Sequence, residues 1–274
     1  MKKILFAFAL VASVYVAQAQ RGWELGGWVG ASHYFGDLNT EFRIDKPGFA
    51  GGLVGRYNFN NRICLKMSAN YGKVAATDAN SKNSFEQQRN LDFESRILDG
   101  AMQLEFNFLP YIHGSKNDNY TPYLFAGFNV FNFNPQTEFN GETVDLRPLG
   151  TEGQFRGEEY YATQGGFVYG AGFKIDLNYE WSLNFELSAR RLFTDYLDDV
   201  SGVYPDMGDL EALRGDVAVA LSDRSIPDDN QVKIGQEGRQ RGNSRAGDAY
   251  VFLGVGIVYY FGDIRCPSVS NRYR

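Results

Sequence analysis

Two histidines, His33 and His113, and the acidic run containing Asp195, Asp198 and Asp199 are the residues from which site chemistry would have to be built. His33 follows Ser32, and a serine activated by a histidine is the beginning of an acyl-transfer site. Neighbouring residues of a strand point to opposite faces, so these two side chains cannot meet. His113 opens the polar stretch His-Gly-Ser-Lys-Asn-Asp at 113–118, where a solvated imidazole is expected. No other pairing offers nucleophile, base and orienting group together, so no catalytic residue and no enzyme activity are expected. Asp195, Asp198 and Asp199 carry the hard oxygens that calcium takes, but without the spacing of an EF-hand loop. They read first as a solvated acidic loop mouth, so no metal and no cofactor are assigned, with a bound cation the open alternative.

The first twenty residues indicate the compartment. Lys2 and Lys3 precede an apolar stretch over 4–16, and Ala-Gln-Ala at 17–19 places small residues at a cleavage site. Residues 1–19 are therefore expected to be a cleaved signal peptide, with the mature chain starting at Gln20. Loss of two lysines leaves 25 basic against 33 acidic residues, a balance that argues against a nucleic-acid partner. In an oxidising compartment an exposed thiol rarely stays single. Cys64 is expected to be a small inward-facing residue, and Cys266, in Asp-Ile-Arg-Cys-Pro at 263–267, to make an interchain disulfide with a periplasmic partner.

Beyond the leader no apolar stretch reaches the ~20 residues of a membrane helix. The longest, 251–261, is broken by Gly254 and Gly256. Period-2 alternation is plentiful instead. Ile63, Leu65, Met67, Ala69 and Tyr71 alternate with Arg62, Cys64, Lys66, Ser68 and Asn70. The same pattern runs through 98–108, 173–179 and 183–190. Glycine-rich or two-sided apolar segments at 23–35, 49–59, 122–133 and 248–262 bring the total to about eight strands, with the inward face of the last two unassigned. Connections alternate in length. Those at 58–61 and 178–180 are short and 111–120 is moderate, whereas 36–47, 77–90, 134–160 and 195–247 are long. Short periplasmic turns and long extracellular loops mark an outer-membrane barrel. The fold expected is all-β: a closed antiparallel up-and-down transmembrane β-barrel, OmpA-like, over 20–262, with a periplasmic C-terminal tail at 263–274.

Aromatics gather where the strands should cross the lipid headgroups. Tyr57, Phe59, Phe106, Phe108, Tyr179, Trp181, Tyr259 and Phe261 are expected at the periplasmic level. Tyr34, Phe35, Phe49, Tyr71, Phe131, Phe133 and Phe193 are expected at the outer one. The alternation also turns charges inward: Arg62, Lys66, Asp99, Glu105, Lys174, Asp176, Glu186 and Arg190. An eight-stranded barrel is just wide enough for side chains to fill. Charges confined there should pair, giving a plugged lumen and not a porin channel. The glycine- and arginine-rich stretch 235–247 reads as a mobile loop.

Four segments together resemble the PorG-type barrels of Bacteroidota: Trp-Glu-Leu-Gly at 23–26, Tyr-Phe-Gly-Asp-Leu-Asn at 34–39, Thr-Pro-Tyr-Leu-Phe-Ala-Gly at 121–127 and Phe-Thr-Asp-Tyr-Leu-Asp-Asp-Val-Ser at 193–201. The resemblance implies an outer-membrane component of the type IX protein secretion machinery. It further implies a barrel that is not the conduit but anchors periplasmic ring proteins, the PorK lipoprotein and PorN, to the membrane. A generic OmpA-like structural barrel, a small porin and a lipid-modifying enzyme are the competing readings.

Overall fold

The computed structural model describes residues 22–245 and 247–262. The leader at 1–19, and the tail at 263–274 with Cys266, lie outside the described residues. Eight long strands follow one another as antiparallel neighbours: β1 (Gly22–Phe35), β2 (Gly48–Asn58), β3 (Ile63–Thr77), β4 (Asp92–Asn107), β5 (Tyr120–Phe139), β7 (Thr163–Asp176), β8 (Trp181–Leu192) and β9 (Ala249–Tyr260). β1 pairs with β9 from Glu24↔Tyr260 to Phe35↔Ala249, which closes the ring. A four-residue strand, β6 (Glu142–Asp145), pairs with the outer end of β5 and stands outside the cylinder's cycle. Closure leaves no edge unpaired within the eight-stranded cycle, the condition for backbone to stand in lipid.

The alternation read from the sequence sorts the two faces. Along β4 every second residue from Phe93 to Asn107 is buried, and Leu98, Met102, Leu104 and Phe106 lie 46–61% exposed. β5 and β9, whose inward sides the sequence left open, turn Tyr123, Phe125, Asn129, Phe131, Tyr250 and Phe252 inward and Leu124, Phe128, Leu253 and Ile257 outward. A continuous apolar band on a closed cylinder is a lipid-facing surface, and the protein is an outer-membrane barrel. The girdle at the short-turn end is ordered into ring contacts: Trp23 on Tyr57, Tyr57 on Phe59, Phe106 on Phe108, and Trp181 on Tyr259.

The outer girdle is thinner than the sequence suggested. Phe49, Tyr71 and Phe193 do face outward, but Tyr34, Phe131 and Phe133 are each about 1% exposed and point into the barrel. They belong to a core that plugs the outer half together with Phe93, Phe252 and the partly buried Trp28. An apolar side chain on either face of a strand gives a flat pattern, which is why the alternation in β5 and β9 was illegible.

The strands also overshoot the lipid. Twenty residues of β5 reach roughly 65 Å at about 3.3 Å each. At a tilt near 40° they rise about 50 Å, twice the ~25 Å apolar band. Beyond Tyr71, Leu98 and Val130 the outward positions turn polar, with Lys73 paired to Glu94 at 2.5 Å on the outer wall. On this raised rim the four long connections form a cap. It carries α1 (Ser84–Arg89), α2 (Met207–Arg214) and α3 (Asp216–Ser222).

Two buried arginines tie the cap together. Arg89 holds the Asp78 carboxylate at 2.7 and 2.8 Å and donates to the carbonyls of Asp37 (2.8 Å) and Arg241 (2.6 Å). Arg241 donates to the carbonyls of Asp199 and Ser222 and pairs with Glu152 at 3.2 Å. Glu152 in turn accepts from the backbone N–H groups of Ser201 and Gly202. The stretch 235–247 is therefore not the free loop its composition suggested, since Arg241 is 1% exposed at the centre of these contacts.

Candidate functional site

The inner half of the lumen is where the charged side chains meet. Register puts Glu24 of β1 opposite Arg56 of β2, and Arg56 opposite Lys66 of β3. Two cations facing each other across a strand pair repel. Glu105 of β4, opposite Cys64, supplies the anion that makes the arrangement tolerable. Its carboxylate lies 2.7 Å from Arg56 Nε, 2.6 Å from Lys174 Nζ and 3.4 Å from Lys66 Nζ, three cations from three strands. Lys66 reaches on to Glu186 at 2.6 Å, and Arg56 to Glu24. Glu24, Arg56, Lys66, Glu105 and Lys174 are each 0–2% exposed, which only mutual pairing makes affordable.

A second cluster sits about one layer outward. Asp99 accepts from Asn70 (2.5 Å), Asn129 (2.7 Å) and the Tyr250 hydroxyl (2.9 Å), and meets Arg190 at 3.4 Å. The Arg190 guanidinium lies 4.1 Å from the Phe252 ring centre, a cation–π contact on the underside of the aromatic plug. Between the clusters Trp28, Lys66, Asn184, Arg190 and Phe252 line a cavity with about 40 Å³ of room for water centres. That is space for on the order of three waters, not for a solute path.

The mouth at the short-turn end is closed by the β4–β5 connection, 108–119. Here the solvated histidine expected from the sequence is corrected. His113 is 3% exposed, its Nε2 3.1 Å from Glu24 and its Nδ1 3.0 Å from Asp176. Its ring stacks on Tyr260 at 4.2 Å between centres, and the neighbouring Tyr111 hydroxyl donates to Asp176. Burial pulls the imidazole's affinity for a proton down. The hydrogen bonds to Asp176 and Glu24 more than offset that and lift its pKa to about 9.

The inward residues read from the sequence thus have different fates. Lys66, Glu105, Lys174 and Glu186 meet in the inner cluster, Asp99 and Arg190 in the outer one, and Asp176 joins the mouth at His113. Arg62 does not enter the barrel. It sits exposed in the β2–β3 turn and donates to the Phe108 carbonyl at 2.7 Å, because the strand begins one residue later at Ile63. Glu24 and Arg56 were missed, although each alternates with outward aromatics, Trp23 and Tyr57. The glycines around them broke the pattern. Cys64 is buried beside Asn107 Nδ2 at 3.7 Å.

The acidic segment is not a solvated mouth either. Asp198 and Asp199 are each 1% exposed and diverge. Asp198 turns to Tyr34, and Asp199 accepts from the hydroxyls of Thr151 (2.5 Å) and Tyr160 (2.7 Å). Burial raises the Asp199 pKa to about 6 against the pull of Arg241. Burial likewise lifts Asp195 to about 7, with the nearby Asp37 carboxylate adding to it. Ser32 and His33 stay apart, with the serine hydroxyl donating to the Lys73 carbonyl at 2.5 Å.

A family model described as a domain of unknown function, DUF6089, matches residues 2–220. No curated protein matches the sequence. Among solved structures the chain is similar to Neisserial surface protein A, at 11% identity and TM-score 0.44 over 88% of this chain and 97% of that one. It is also similar to OprG of Pseudomonas aeruginosa (14%, TM-score 0.41, 89% and 98%) and to the N-terminal β-barrel domain of OprF from the same organism (11%, TM-score 0.38, 89% and 100%).

Proposed function

The chain belongs to the DUF6089 family and is an outer-membrane barrel of OmpA-like architecture, and from that premise we propose that it is a structural anchor of the type IX secretion machinery. In this reading it holds periplasmic ring proteins, the PorK lipoprotein and PorN, at the membrane and is neither conduit nor enzyme. The observation that carries the anchoring role is the filled bore. Five ionic side chains from five strands lock the inner half, an aromatic core fills the outer half, and loops close both mouths. A barrel so filled has its exterior surfaces left for interaction. The assignment to this particular machinery rests on the four sequence segments at 23–26, 34–39, 121–127 and 193–201.

Affinity purification of the tagged barrel from membranes in mild detergent tests it. Co-purification of PorK and PorN, with export failing in a deletion strain, is the expected result. Recovery of the barrel without any ring protein, together with normal export in the deletion strain, overturns the anchor and leaves a generic OmpA-like structural barrel.

A further inference from the structure

At the junction of barrel and cap one hydroxyl faces two buried carboxyl groups. Tyr34 Oη, at the outer end of β1, lies 2.5 Å from Asp198 Oδ2 and 2.8 Å from Asp248 Oδ1. Both aspartates are 0–1% exposed. A phenol has one hydrogen, and an ionised carboxylate has none to give. Two contacts of hydrogen-bond length around one phenol oxygen therefore need a second hydrogen, carried by one of the acids. The remaining oxygens are held by the backbone, Asp248 Oδ2 by Leu197 N–H (2.9 Å) and Asp198 Oδ1 by Val200 N–H (3.0 Å).

The surroundings offer no counter-ion in place of that proton. Facing the pair are the carboxylates of Asp37 after β1 and Asp195 on the same loop as Asp198. The cation that acts on Asp198 is Arg89, while Arg191 and Arg241 act on the neighbouring Asp195 and Asp199. Arg89 is committed to Asp78 and Arg241 to Glu152 and Asp199, and among the described residues neither Asp198 nor Asp248 forms an ion pair.

We propose that Asp198 and Asp248 hold one proton between them at neutral pH, and that this shared proton locks the β8–β9 loop onto the barrel rim through Tyr34. Burial first, then the negative charges of Asp248 and Asp37 around Asp198 and of Asp195 and Asp37 around Asp248, shift both groups well above the ordinary carboxylate range. A carboxyl whose affinity for a proton is higher in the folded cap adds stability at low pH and loses it as pH rises through the folded pKa. Asp37, at about 6, and Asp195, at about 7, titrate at the same junction, so the pair is read against variants of its own two residues.

Infrared spectroscopy of the folded barrel in detergent at neutral pH reads the proton directly. An un-ionised carboxyl band that disappears in the Asp198→Asn/Asp248→Asn double variant is expected. Trypsin cleavage at Arg224 and Lys233 reads the lock. The rate of the natural chain relative to Asp248→Asn, whose amide replaces the acid's donor, should climb by up to about tenfold per pH unit as pH rises toward the pair's folded pKa and level off once the pair has ionised. Comparing the two chains at each pH cancels the protease's own response. Absence of the band in the natural chain overturns the proposal by itself, whether or not the variants fold. Parallel cleavage profiles for the natural chain and the Asn variant overturn the lock.

Discussion

Replacing Glu105 by glutamine removes one charge from the inner cluster and almost no volume. Arg56 keeps Glu24, and Lys66 keeps Glu186 at 2.6 Å. Lys174 is the group left stranded. It is fully buried, forms no second ion pair among the described residues, and falls back on Asn107 Oδ1 at 3.4 Å and the Tyr123 ring at 4.5 Å. Leaving a buried ion without its partner costs about 3–5 kcal/mol, and Glu105→Gln should cost that much. Adding Lys174→Met removes the orphan, and the double variant should recover to within about 1–2 kcal/mol of the natural chain, since replacing a whole buried pair by apolar groups is close to neutral. Arg62→Met, at the exposed turn, should change stability by less than about 0.5 kcal/mol. The measurement is a urea titration of protein folded into lipid vesicles, followed by tryptophan fluorescence and by the gel mobility of the folded barrel. A Glu105→Gln loss under about 1 kcal/mol, or a double variant whose loss is the sum of the singles, would refute the account of Glu105 as the shared anion.

Two further outcomes follow from the closed mouths. The His113 pKa rises from 6.5 to about 9 in the folded chain, so the periplasmic plug should be at full strength below about pH 6.5 and weaken as pH climbs through about 9. The span corresponds to about 3 kcal/mol. Urea midpoints that fall across that window in the natural chain but stay level in His113→Gln would fit; equal slopes would not. In planar bilayers the purified barrel should show no steady ion conductance above background, and stable open-channel steps would remove the filled-bore reading.

Much of this arrangement was legible in the sequence because strands that carry charge on one face and grease on the other leave no doubt about direction. β3, β4 and β8 placed Lys66, Asp99, Glu105, Glu186 and Arg190 on the inward side from alternation alone. β1 and β2 did not yield Glu24 and Arg56, because glycine carries no side chain and therefore no facing signal. β5 and β9 were opaque for the opposite reason, with rings on both faces. The cap was the least legible part. His113, Asp198, Asp199 and Arg241 sit in polar, turn-rich stretches whose composition is that of solvated loops, and only the long-range partners Glu24, Tyr34, Thr151 and Glu152 show them buried. Hydrogen bonds spanning 48 to 164 residues leave no trace in local pattern.

The glycines that blurred the pattern are what allow the bore to be filled at all. A Cβ built on Gly254 would stand 2.4 Å from the Trp28 ring, and one on Gly172 would stand 2.4 Å from the Tyr123 ring. Both contacts are well inside van der Waals distance, so each large ring occupies the space that a side chain on the adjacent strand would need. A cylinder of eight strands has room for about one layer of side chains. Bare positions beside bulky ones let Trp28 and Tyr123 lean across it, and Tyr123 thereby brings its hydroxyl to Glu186 at 2.8 Å. The ionic cluster is then walled by aromatic rings, with Lys66 4.0 Å from the centre of the Phe125 ring and Lys174 beside Tyr123. The rings leave room for only a few waters beside the charges, and they cannot be moved without rupturing pairs on several strands at once. Opening such a bore would strand buried ions at every step, whereas holding a partner at either rim requires none of them to move.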